Sequence, residues 1–173
     1  MKEPIRWHTL RPLVVVKITA ICIFLIMYLL PLALVPISIV RGAEIRYCLE
    51  PLSIVVYDSW IPTDALGATR GYVVYIRPDL YGEPMVLHHE LQHVRQWWYS
   101  LGLCKYFYSW STKYRMFYEY EAYVEGLRYS TDIERDLMAA AGGLSHPSYE
   151  LKISPEVAYL LLENAINKQR GIE

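Results

Sequence analysis

Residues 88–98 read HHELQHVRQWW, and within them His89, Glu90 and His93 form the pattern His-Glu-x-x-His. On a helix, side chains four positions apart lie on one face, one turn apart. Two imidazoles at that spacing can both reach one Zn2+ ion at about 2.0–2.1 Å. Glu90, beside the first of them, is placed to act as a general base on a water that zinc brings to a pKa of about 7. The composition gives this five-residue pattern a chance frequency of about 1%, and an ordinary helix with polar residues on its exposed face carries the same letters. The surroundings therefore decide.

A catalytic zinc needs three protein ligands and one open position. The stretch MFYEYEAYVEG, residues 116–126, offers Glu119, Glu121 and Glu125. On a helix Glu119 and Glu121 point about 200° apart, so they cannot both face one ion. The residues alone leave the choice open, with a more distant group such as His146 as a further possibility.

These side chains need elements to hold them. Ser53 to Asp58 reads as a short strand, and GYVVYIRPD, residues 71–79, as a second, rich in β-branched and aromatic residues. The intervening TDALGATRG is turn-rich. Pro84 suits the first turn of a helix running to about Ser100. A second helix is expected over Lys113 to Tyr129, and a third over DIERDLMAAA, ending at Gly142-Gly143. Ser154, Pro155 and Glu156 open a last helix as cap, first-turn proline and early acid, running to about Lys168. The expected class is α+β, with a short sheet packed on the His-Glu-x-x-His helix and further helices.

With the motifs in order, HHELQHVRQ followed by YEYEAY resembles the gluzincin zinc metallopeptidases, small phage and bacterial members above all. The resemblance covers roughly Gly71 to Gly126. It implies a zincin-like fold, a Zn2+ cofactor and hydrolysis of a peptide or protein substrate. It further implies that the third ligand comes from a second helix in a Glu-x-x-Ala pattern. Aligned on Ala122, that pattern makes Glu119 the ligand and Glu121 the alternative. The family's bracing aspartate is replaced by Tyr123. The oxyanion of the reaction would be met by Tyr123 or His146, with Tyr120 another donor among the 16 tyrosines. The strand Gly71, Tyr72, Val73, Val74, Tyr75 would take the substrate by edge pairing. His88 points about 100° away from His89, toward a supporting or surface role. Gln96 is expected to pack between helices.

Residues 18–40 are 23 uncharged, mostly apolar positions, interrupted only by Pro31 and Pro36. About 20 such residues span a bilayer, whereas the apolar part of a cleaved signal peptide runs about 7–15. The run is expected to be a transmembrane anchor with the bilayer as its partner. This gives two regions: residues 1–41, a cytoplasmic tail and anchor, and residues 42–173, the zincin-like domain. Lys2, Arg6, Arg11 and Lys17 before the run, against Arg41 and Arg46 after it, place the domain on the extracytoplasmic side.

Residues 1–41 hold five of the 17 cations and one of the 18 anions, so the remainder carries a net charge of −5. That argues against nucleic acid as a partner, which would want a basic face. Cys48 and Cys104 could pair outside the cytoplasm, and none of the three cysteines has metal-site spacing. Two other readings stand beside the peptidase: a binding or assembly protein that keeps zinc for structure, and a membrane structural protein with no metal.

Overall fold

A computed structural model of the protein describes residues 7–59 and 65–171. Lys2 and Arg6 of the expected N-terminal tail, and Thr63-Asp64 of the turn-rich segment, lie outside the described residues. The class is α+β. In chain order the elements are α1 (Trp7–Leu29), a 3-10 turn (Leu30–Leu34), α2 (Val35–Val40), β1 (Glu44–Leu49), β2 (Leu52–Tyr57), β3 (Gly67–Arg70) and β4 (Val73–Ile76). Then come α3 (Pro84–Tyr99), α4 (Cys104–Trp110), α5 (Thr112–Arg128), α6 (Ile133–Leu144), a 3-10 turn (Pro147–Tyr149) and α7 (Pro155–Arg170).

The transmembrane anchor is not supported. Among the described residues no helix is long and apolar enough to cross a membrane. The apolar run is not one helix: α1 stops at Leu29, the chain tightens into the 3-10 turn with proline in its first positions, and α2 has six residues. A proline lacks the N–H for the ladder, and its ring crowds the carbonyl four residues back. From Ile18 to Leu29 a helix rises about 17 Å at 1.5 Å per residue, against a hydrocarbon core of about 30 Å. Beyond the break, Leu32 and Val35 pack on Val56, Val73 and Tyr75, covering one face of the sheet. The single-pass localisation, the outward placing of the domain and the bilayer as partner of residues 18–40 lose their basis together.

The sheet order is β1-β2-β4-β3, with β2 and β4 parallel and the other pairs antiparallel. Alternation sorts its side chains between two faces. Val56, Val73 and Tyr75 face the segment after α1, whereas Val55, Tyr57, Val74 and Ile76 join the helical core. That core is completed by Leu91 and Val94 of α3, Leu127 of α5, Leu137 and Leu144 of α6, and Leu162 of α7.

Two expectations about strands need correction. TDALGATRG, expected only as a turn, contributes a strand, β3, to the same sheet as β1 (Glu44–Leu49). The stretch expected to take a substrate by edge pairing has no open edge. Val73, Val74 and Tyr75 lie in β4, flanked by β2 and β3, and Gly71 and Tyr72 form the turn into it. Among the described residues the outer strand on that side is β3.

Several helix ends follow local chemistry. Pro84 opens α3, Asp132 caps α6 by accepting from the Arg135 amide, and Ser154 caps α7 by accepting from the Val157 amide. α6 runs through Gly142-Gly143 to Leu144 instead of ending at the glycines. The reason is packing: a Cβ on Gly143 would run into the Tyr123 hydroxyl and lie 2.9 Å from its Cζ. The glycine makes room for a neighbouring ring. Cys48 and Cys104 are unpaired, and the Cys48 thiol donates to the Glu50 carbonyl.

Candidate metal centre

α3 and α5 cross closely, and the closeness is written in small residues. Ala122 is fully buried, and a Cβ on Gly126 would lie 2.6 Å from the Met85 carbonyl oxygen and 3.3 Å from the His89 Cβ. Glu119, Ala122 and Gly126 recur three and four apart, so they share the face of α5 turned to α3. The crossing brings Glu119 up to the two histidines. Glu119 Oε2 is 3.7 Å from His89 Nε2, and Glu119 Oε1 is 3.7 Å from His93 Nε2.

The ligand atoms of His89, His93 and Glu119 all lie within 4.8 Å of one another. In a tetrahedral zinc site, bonds of about 2.0–2.2 Å keep ligand atoms about 3.4 Å apart. The 3.7 Å separations need only a small inward movement to meet that. Glu119 is 3% exposed, and its Oε2 is buried without a hydrogen-bond donor. A buried, ionised oxygen without a partner is costly, and a cation between it and the imidazoles removes the cost. The three residues could hold a metal ion.

Ionisation follows from the same proximity. Burial, then the neighbouring His93, drives the His89 pKa down to about 3. Burial opposes a charge on His93 most strongly, but the facing Glu119 carboxylate, together with Glu90 and Gln96, outweighs it and lifts His93 to about 9. Glu119 is likewise opposed by burial and brought down to about 2, first by His93. Metal-free, the group is an imidazolium–carboxylate pair beside a neutral His89.

The ligands are held from behind. Gln96 Nε2 donates to the Tyr118 carbonyl at 3.0 Å and to Glu121 Oε2 at 3.2 Å. Both partners only accept, so the amide orientation is set and Gln96 Oε1 faces His93 Nδ1 at 2.8 Å. His93 must donate from Nδ1, which leaves the Nε2 lone pair for a cation. Glu121 is thus not among the converging ligands; it anchors the amide that orients one. On Glu119, Oε1 accepts from the Tyr108 hydroxyl at 2.8 Å. The Tyr123 ring stands edge-on to His89, with centroids 4.3 Å apart.

Glu90, 6% exposed, turns to β3. Its Oε2 accepts from the Thr69 hydroxyl at 2.6 Å, and a Cβ on Gly67 would lie 2.7 Å from its Oε1. Burial raises its pKa; His93, then Thr69, act against that rise. A carboxylate so raised is a better proton acceptor near neutrality.

The remaining sequence candidates are spread more widely. His146 caps the 3-10 turn at Pro147–Tyr149, its Nδ1 2.8 Å from Ser148 Oγ on the surface. His88 stacks on Tyr129 with centroids 3.4 Å apart. Two residues near the centre escaped the sequence reading, Tyr108 and Tyr149. Burial, then the charge of Glu119, raises the pKa of both, as it does for Tyr123. Nothing in their local sequence distinguishes them from the other tyrosines. Compared with models of known families, with curated proteins and with solved structures, the chain finds no match.

Proposed function

We propose that the protein is a zinc-dependent metallopeptidase of the gluzincin kind, with Zn2+ held by His89, His93 and Glu119 and with Glu90 as general base. The observation that carries this reading is the meeting of one carboxylate, from α5, with Nε2 of both histidines of a His-Glu-x-x-His helix. Two imidazoles and a carboxylate suit zinc. Zinc, when bound, supplies an acidified water and polarises the scissile carbonyl. Glu90 accepts the proton of the attacking water and returns it to the leaving amine. Tyr123, whose ring stands edge-on to His89, is the proposed donor to the developing oxyanion.

The test pairs two measurements on the full chain. Elemental analysis should find about one zinc per chain, removable by a chelator. A broad peptide library should be cleaved by the zinc form, while Glu90→Gln retains the metal and loses turnover by about a hundredfold or more. Zinc-loaded wild type that cleaves nothing would overturn the peptidase assignment.

One observation favours a second reading, a zinc kept for structure. His89 is 7% exposed and Glu119 3%, and His93 is partly buried, so the group is largely enclosed rather than set in an open cleft. Structural zinc sites are closed by four protein ligands, whereas three converge here among the described residues. Loss of the fold on chelation, without turnover by the loaded form, would favour this reading.

A further inference from the structure

The metal centre is covered by two segments that are not neighbours in the chain. α4 lays Tyr108 on Glu119, with the hydroxyl donating to Oε1 at 2.8 Å. The 3-10 turn after α6 is held against α5 one turn before Glu119, where the Tyr149 carbonyl accepts from Arg115 at 2.8 Å. α4 is not rooted in the core, whereas the second cover reaches it through Tyr149 and the buried Leu151 just beyond the turn. α4 has no buried residue, and Phe107 and Trp110 are exposed. It is entered through Leu101 and Gly102, both in left-handed backbone, and left through extended Ser111. The other cover is followed by Glu150 and Lys152, also left-handed and neither a glycine.

One side chain touches both. Arg115 lies one turn before Glu119 on α5 and is largely buried, with 14% of its side chain exposed. Its Nε donates to the Tyr108 carbonyl at 3.3 Å, and the guanidinium sits over the Tyr108 ring, 5.4 Å from the centroid. Its Nη1 donates to the Tyr149 carbonyl at 2.8 Å and to Glu150 Oε2 at 2.9 Å. A planar fork can hold two such carbonyls at once, which a lysine cannot do with the same geometry. We propose that Arg115 is the latch of a two-part cover over the metal centre, and that metal and substrate reach His89, His93 and Glu119 when α4 and the 147–149 turn part. Arg115 is a positioning residue, acting through Tyr108 and Tyr149. The substrate part of this inference rests on the proposed peptidase reading; the latch itself does not.

Hydrogen exchange on the metal-free full chain reads the latch directly. In Arg115→Met, the amides of residues 105–110 and 148–151 should exchange about tenfold faster or more, the equivalent of one lost charge-assisted hydrogen bond. Amides of 89–97 and 119–127 should keep wild-type protection. Arg115→Lys should loosen the same two segments by a smaller factor, and it answers the question if the methionine variant does not fold. Loosening of one segment only, of neither, or of the whole chain would overturn the latch. In zinc-loaded protein, transfer of the metal to a chelator should speed up in the same variants. Wild type that takes up no zinc would overturn the proposed function, and the exchange pattern would still decide the latch.

Discussion

His93 and Gln96 face each other across one turn of α3, with Nδ1 2.8 Å from Oε1, and the far end of the amide is tied to Tyr118 and Glu121 on α5. The pair converts a helix–helix contact into the tautomer of a metal ligand. Gln96→Leu keeps the volume and removes the acceptor. Metal affinity should fall about 10–100-fold, the usual cost of losing such support. Glu121→Gln, which can still accept through its amide oxygen, should fall less. Competition with a chromogenic chelator measures both, and equal affinities for Gln96→Leu and wild type would remove Gln96 from this role.

Metal uptake should expel a proton. Metal-free, His93 is protonated below about pH 9, and the cation needs its Nε2 lone pair. About one proton should be released per ion at pH 7, and apparent affinity should rise about tenfold per unit between pH 6 and 8. Titration calorimetry in buffers of different ionisation heat counts the proton. The same group sets a stability window for the metal-free fold. Its pKa is raised from 6.5 to about 9, so its contribution is complete below 6.5 and lost as pH climbs through about 9. A metal-free melting temperature that does not fall over that range would contradict the ionisation described.

Gly67 and Thr69 hold Glu90 against β3. Gly67→Ala would set a Cβ 2.7 Å from Glu90 Oε1, displacing the carboxylate while leaving the ligands alone. On the proposed reading, turnover should drop about tenfold or more with metal content unchanged. Thr69→Val removes the hydroxyl that lowers the Glu90 pKa. The base form then appears only at higher pH, so the acid limb of the rate profile should move upward. A limb that stays in place would dissociate Glu90 from the base.

Two glycines make a contrast in stability. Gly126→Ala would meet the backbone oxygen of Met85, which cannot swing aside, whereas Gly143→Ala would meet the end of the Tyr123 side chain, which can. Both should destabilise, by about 1–3 kcal/mol, with Gly126→Ala the larger. Only Gly126→Ala should also weaken metal binding, because it pushes α5 and Glu119 away from α3. Urea unfolding and chelator competition together read this, and the reverse order would overturn the account.

The three residues that could hold a metal were largely legible in the sequence. Helical periodicity alone puts His89 and His93 on one face, and the 200° between Glu119 and Glu121 forces a choice between them. Cap residues, read off single letters, mark the starts of α3 and α7. These are local rules acting over a few residues, and a linear string carries them.

What the string could not carry is long-range. Residues 18–40 have the composition of a span, and only the break at the prolines and the packing of Leu32 and Val35 show that the part beyond α1 covers a β surface. Gly142-Gly143 reads as a helix stop until Tyr123 arrives from another helix to occupy the missing Cβ. Tyr108, Arg115 and Tyr149 carry no local signature; their roles exist because α4, α5 and the 147–149 turn converge on Glu119. Sequence by itself determined which groups could bind a metal. Tertiary packing decided which of them meet and what covers them, because burial and contact between distant segments depend on the whole chain's packing and not on any one stretch of it.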